Sequence, residues 1–333
     1  MGASSRVFRA ERLGKSYAVK VIHKGAAAIA GFTRQEYLRE LEVFKRINEA
    51  PETHRFLSTL KMSWEDLAQD RIFFVMDLYP TDLLSVLAGG MPITMRDREL
   101  YCRELICAVT ALRDLGIVHR DIKPGNVLIN VHGHAVLSDF GSAINVVSDS
   151  EDDFEYWKCY DSVGTPAYMA PEVAAVNVTV TGYRPCADIW SLGLVLLEIF
   201  GNFSGPYFPV TTIEAIRTQH AKLDPIEGLD VKQVPLLELP LGLMVMLEMM
   251  LRYHQEERFT VQDLYFVYRS YMYDLETSPA KVAHDWKPAI VSPQAADNSD
   301  VTELLSFRGF ATTLSLAPGD PAELEYRAPR RFE

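Results

Sequence analysis

The chain has 333 residues, long enough for one large domain or two lobes around a sizeable core, and its 48% hydrophobic and 23% charged residues are the balance of a globular protein. Its formal net charge of −12 argues against a nucleic-acid backbone as the main partner and is compatible with basic protein substrates. No run approaches the roughly 18 apolar residues of a membrane span, and four cysteines (Cys102, Cys107, Cys159, Cys186) without CxxC spacing read as reduced thiols of the cytosol or nucleus.

Residues 6–22, RVFRAERLGKSYAVKVI, predict two strands around a turn at Leu13-Gly14-Lys15, with Val7, Ala18 and Val19 as apolar positions. RQEYLRELEVFKRI then places Tyr37, Leu41, Phe44 and Ile47 on one helical stripe. Residues 54–80 predict two further strands around a polar turn, ending at Pro80. A helix follows over DRELYCRELICAVTALRDLG, with Leu105, Ile106, Val109 and Leu112 inward and Gly116 at its end.

Residues 117–141, IVHRDIKPGNVLINVHGHAVLSDFG, are the centre of the chain. Asp121 is followed five residues later by Asn126 and, after a strand-turn-strand, by Asp139-Phe140-Gly141. Asp and Asn supply the oxygen ligands that hard cations take. Beyond this run, the acidic SDSEDDFEYWKCYD is expected to be a solvated loop over 148–155, and CADIWSLGLVLLEIF, apolar nearly all round, a helix buried on every side. After Leu275 periodicity fades into a Pro-, Ala-, Ser- and Asp-rich tail.

The HRD-x-x-x-x-N and DFG run resembles the catalytic and metal-binding loops of eukaryotic serine/threonine protein kinases, and the resemblance covers about residues 2–275 in the expected order. It implies an α+β, two-lobed protein kinase fold: a small antiparallel-sheet lobe over 1–80, a larger mainly helical lobe over 81–275, and an extended tail over 276–333. The implied activity is transfer of the γ-phosphoryl of ATP, with Mg2+, to a protein Ser or Thr hydroxyl. By that resemblance Asp121 is the base, Lys123 contacts the transferring phosphate, and Thr165 of GTPAYMAPE hydrogen-bonds both. Asn126 and Asp139 hold the metal, and Lys20 meets the α- and β-phosphates with Glu40, rather than Glu36, as its partner. Met76 is the gatekeeper, Asp77, Leu78 and Tyr79 are the hinge whose backbone groups face adenine, Val7 and Ala18 are further cofactor-binding positions, and Asp82 bonds the ribose. Asp188 braces the catalytic loop, and Arg258 pairs with Glu172.

Departures from the family pattern carry expectations too. Gly2 sits at the second glycine of the phosphate lid, Ser5 replaces the third, and the strand before the lid is missing. An incomplete copy of a longer product is expected on that ground, with a pseudokinase-like scaffold of weak or no turnover as the alternative. Asp161 stands three residues before Gly164, where many kinases carry a phosphorylated Ser or Thr, and is expected to pair with Arg120 in the phosphate's place. Gly125 and Glu198 give opposite cues on recognition of basic substrates, which leaves the sequence preference open. Phe307-x-x-Phe310 resembles the hydrophobic motif that the AGC group docks on its small lobe, with Ala311 in place of the usual Ser/Thr.

Overall fold

Strand β1 (Ser5–Arg12) and strand β2 (Lys15–His23) form the expected hairpin, with Leu13 and Gly14 in the left-handed region at the turn. The computed structural model describes residues 5–23, 34–50, 55–66, 70–89, 93–146, 151–176, 181–201, 203, 205–235 and 239–272. Gly2, Ser148 and the tail with Phe307 and Phe310 lie outside these residues. Strands β3 (Leu60–Asp66) and β4 (Arg71–Asp77) complete an antiparallel sheet of order β1-β2-β4-β3 among the described residues.

Period-two alternation divides β2 between the faces of this sheet. Tyr17, Val19 and Val21 join Ala10, Phe73 and Val75 in a cluster on one face, where Trp64 stacks on Phe73 at 4.6 Å. Ile22 shares a cluster with Phe74 and with helix α1 (Arg34–Glu49), whose Val43, Phe44 and Ile47 are fully buried. Val43 widens the stripe expected from Tyr37, Leu41, Phe44 and Ile47.

The larger lobe is helical. After the short strand β5 (Thr81–Asp82) and helix α2 (Leu83–Ala88), helix α3 (Met95–Asp114) starts at a capping box made by Thr94 and Asp97. Two small ribbons follow: β6 (Ile117–Val118) returns later to pair β9 (Ile144–Asn145), while β7 (Val127–Ile129) and β8 (Ala135–Leu137) form the expected strand-turn-strand. Helices α5 (Pro171–Ala175), α6 (Ala187–Gly201), α7 (Ile213–His220), α8 (Leu241–Met250) and α9 (Val261–Met272) build the rest. Every residue of α6 from Ala187 to Phe200 is buried, which accounts for its lack of a polar face. No helix among the described residues is long and apolar enough to cross a membrane.

One expectation fails here. Within the supposed solvated loop, Glu151–Tyr156 form helix α4, and Phe154 and Glu155 are buried. Phe154 packs on Val118 and Val146, and Glu155 accepts from Arg113 Nε at 3.3 Å. A single aromatic anchor next to one carboxylate paired with Arg113 outweighs the acidic composition around it.

Candidate active site

Lys20 links the two lobes. Its Nζ donates to Glu40 Oε1 on α1 at 2.7 Å and to Asp139 Oδ1 at 3.0 Å. Burial alone would push the ammonium's pKa down, but the two carboxylates outweigh it and hold Lys20 protonated. The same ammonium keeps the Asp139 carboxyl below its ordinary range, against the opposing effect of burial. Burial pushes the Glu40 carboxyl up, and Lys20 opposes that shift.

Phe44, one helical turn after Glu40, sets its ring edge-on to Phe140 at 5.2 Å, and Phe140 in turn meets His119 at 5.5 Å. This buried column ties α1 to both loops of the larger lobe. Each such pair is worth about 0.5–1.5 kcal/mol beyond the area it buries.

The catalytic-loop stretch is held from beneath by α6. Asp188 accepts the backbone N–H of His119 at 2.7 Å and of Arg120 at 2.8 Å. These bonds fix Arg120 in a left-handed conformation (φ 66°), and Asp139 shares that region (φ 61°). Non-glycine residues rarely sit there, and the conformation costs about 1–3 kcal/mol each.

Asp121 then lies at the meeting of three segments. Its Oδ1 accepts from Thr165 N–H at 2.8 Å and Thr165 Oγ1 at 2.7 Å. Its Oδ2 accepts from Lys123 Nζ at 2.7 Å and Asn126 Nδ2 at 3.2 Å. Lys123 also donates to Thr165 Oγ1 at 2.7 Å. Gly164 makes this approach possible: at its φ of 106°, a Cβ would come within 2.4 Å of the Arg120 carbonyl oxygen.

Arg120 faces the opposite way and draws in the segment after Asp139. Its Nε donates to Ser142 O at 2.7 Å, and its Nη1 donates to Asp161 Oδ1 at 2.6 Å, with the Tyr183 hydroxyl at 3.5 Å. The Asp161 pairing was expected; the Tyr183 contact was not.

The remaining candidates are dispersed along the sheet and the lobe junction. Val7 pairs opposite Lys20 on β1 and is exposed, and Met76 pairs opposite Ala18. Asp77 bonds outward, to Lys61 at 2.9 Å and Lys15 at 3.6 Å. Burial and the neighbouring Asp77 push the Tyr79 phenol up to about 12. Asp82 caps α2, accepting from Ser85 N–H at 2.7 Å. Glu198 is buried, accepts from Tyr207 N–H at 2.9 Å and Tyr168 Oη at 3.1 Å, and is lifted to about 7 by burial.

Sequence comparison places this geometry among known proteins. The family described as protein kinase domain matches residues 1–267. Human "Serine/threonine-protein kinase MRCK gamma" is 30% identical over 220 residues, which is 62% of this chain and 13% of that protein. "Ribosomal protein S6 kinase alpha-6" of Danio rerio is 31% identical over 204 residues, 60% of this chain and 25% of that protein. "Serine/threonine-protein kinase tricornered" of Drosophila pseudoobscura pseudoobscura is 27% identical over 231 residues, 60% of this chain and 48% of that protein. The matched stretch thus spans less than half the length of each of these three relatives.

Proposed function

The chain belongs to the protein kinase family, and from that premise we propose that it is a serine/threonine kinase transferring the γ-phosphoryl of Mg·ATP to protein hydroxyls. One observation carries the reading: Asp121 is bonded by Thr165, Lys123 and Asn126, while Lys20 joins Glu40 to Asp139. Both polar clusters are assembled together, as turnover requires and as a scaffold does not need.

The residues present suit the cofactor. Asp139 offers a carboxylate, and Asn126, its amide nitrogen committed to the Asp121 carbonyl at 2.8 Å, offers its amide oxygen. Two protein ligands are the usual complement for Mg2+ when phosphates and water supply the rest. Gly141 preserves the room: a Cβ there would stand 3.4 Å from Asp139 Oδ1 and 3.5 Å from Lys20 Nζ. When bound, Mg·ATP supplies the phosphoryl group and cations that neutralise its charge.

In this reading Lys20 would hold the α- and β-phosphates, with Glu40 fixing its direction. Asp121 receives the proton of the acceptor hydroxyl, and Thr165 and Lys123 set the plane of its carboxylate. Lys123 also offers positive charge to the transferring group. Val7, Ala18 and Met76 would line the nucleotide site, the backbone of Asp77, Leu78 and Tyr79 would face adenine, and Asp82 would bond the ribose. Gly2 would stand at the second glycine of the lid, and Phe307 and Phe310 would dock the 276–333 tail on the 1–80 lobe beside α1. The four cysteines are free, and burial pushes Cys159 up to about 11 and Cys102 and Cys186 up to about 12, which supports unreactive thiols.

Incubation of the purified chain with γ-labelled Mg·ATP and a degenerate peptide pool is expected to yield phosphoserine or phosphothreonine. Label no higher than a blank without protein, or confined to tyrosine, overturns the proposal.

Asp161 supplies the charge that a phosphate gives elsewhere. Its bond to the largely buried Arg120 is charge-assisted, and such bonds are worth about 1.5–3 kcal/mol. Asp161 itself is half exposed, so the lower end applies. Asp161→Asn should therefore lower turnover about tenfold, while phosphatase treatment of the wild-type chain leaves its rate unchanged. A rate that collapses on phosphatase treatment, with the loss mapped to residues 147–163, is the opposite result.

A further inference from the structure

Among the described residues, Glu40, Arg46 and Asn48 fix helix α1 to the rest of the protein by polar bonds, and of these only Glu40 faces Lys20. Asn48 brackets Leu60 at the start of β3, donating from Nδ2 to its carbonyl at 2.6 Å and accepting its N–H at 3.2 Å. Arg46 reaches the other lobe: its Nη1 donates to the carbonyl oxygen of Leu115 at 3.0 Å.

Leu115 is the C-terminal cap of α3. The last carbonyls of a helix lack intrahelical donors and carry the negative end of its dipole, so a guanidinium is favourable there. The position matters more than the bond. Gly116 follows at once, and its carbonyl accepts Val146 N–H at 2.7 Å. From there the chain runs through β6 to His119 and Asp121, and β6 pairs with β9, which leaves the Asp139–Gly141 turn. A Cβ at Gly116 would lie 3.1 Å from Val146 O and 3.3 Å from Arg46 Nη1. Arg46 therefore touches the point where the strand entering one loop and the strand leaving the other are joined.

We propose that Arg46 is a positioning residue that sets the rotation of α1 against the larger lobe, so that Glu40 reaches Lys20. Six residues separate Glu40 from Arg46, about 9 Å along the axis and about 240° around it. A helix pinned on two faces cannot roll without breaking one contact. Asn48 cannot replace this restraint, because it ties α1 to the sheet that belongs to the same lobe. With Arg46 removed, no direct polar bond among the described residues would join the helix to the larger lobe, and the apolar Phe44–Phe140 contact with the indirect Glu40–Lys20–Asp139 link would be left to hold it.

The effect on turnover rests on the kinase reading above; the mechanical coupling does not. The test uses the full chain with Arg46→Met, which keeps an apolar stem without donors, and Arg46→Lys, which keeps a charged donor. Amide hydrogen exchange and steady-state kinetics are read together. Arg46→Met is expected to speed exchange of α1 amides at least tenfold with α6 unchanged, and to lower kcat about tenfold at constant peptide KM. Arg46→Lys should stay within threefold of wild type on both. The proposal is overturned if α1 exchange in Arg46→Met matches wild type, if Arg46→Lys is no better than Arg46→Met, or if Arg46→Met loses its cooperative melt, which would assign Arg46 to global stability. A wild-type chain without phosphoryl transfer would defeat the kinase reading, and the exchange data would still decide the role of Arg46.

Discussion

Asp121→Asn lowers phosphoryl transfer by about 10²- to 10⁴-fold, the usual contribution of a positioned general base, and leaves the melting curve and nucleotide affinity close to wild type. The size follows from the surroundings of the carboxylate. Four donors converge on it, from Thr165 N–H and Oγ1, Lys123 and Asn126. An amide of the same shape keeps acceptance on Oδ1 but turns an N–H₂ toward Lys123 and Asn126, so Lys123 is left with Thr165 Oγ1 and Asn126 with the backbone carbonyl of residue 121. The substrate hydroxyl also loses its proton acceptor. Lys20, Glu40 and Asp139 are untouched, so nucleotide binding persists. Equal rates for mutant and wild type under saturating Mg·ATP would refute the role of Asp121, and equal absence of transfer in both would favour a scaffold.

Arg258→Met destabilises the chain by about 3–5 kcal/mol, the range for removing one partner of a buried ion pair. Arg258 is 3% exposed, yet it is fully satisfied. It forms a two-pronged pair with Glu172, one prong at 3.0 Å, and donates to the carbonyls of Cys186, Arg252 and Tyr253. Its guanidinium also lies 5.2 Å from the centre of the Trp190 ring. Removing it leaves Glu172 charged and three carbonyls without that donor beneath the segment that ends in α5. The double variant Glu172→Gln/Arg258→Met should be more stable than Arg258→Met alone, since it no longer encloses an unpaired charge. Urea denaturation measures both; a loss under 1 kcal/mol in Arg258→Met contradicts the argument.

The parts of this site that were legible in the sequence are those with fixed spacing or strong periodicity. The pairing of Lys20 with Glu40 comes from the resemblance to the kinase family, while the alternating strand and the amphipathic helix that carry them are legible from periodicity. Asp121, Asn126 and Asp139 lie within one short run, so the chain itself sets their separation. Asp188 and Arg258 were found as motif positions, and their partners are as expected. The Phe44–Phe140–His119 column was not legible, because its members are far apart in sequence and aromatic packing has no spacing of its own. Tyr183 and Arg46 escaped for a related reason: one hydroxyl and one guanidinium bond to a distant segment, and nothing in their neighbours marks the meeting. Helix α4 is not legible because its acidic composition suggests solvent, while Phe154 and the Glu155–Arg113 pair decide where it goes.

The salt link from Asp161 to Arg120 has a consequence for control. A phosphate on this segment can be added and stripped within minutes; an aspartate is incorporated at the ribosome and leaves only when the polypeptide is degraded. Under the proposed reading, the amount of protein and its access to substrates would set the output, and signalling enzymes acting at this position would have no lever to pull.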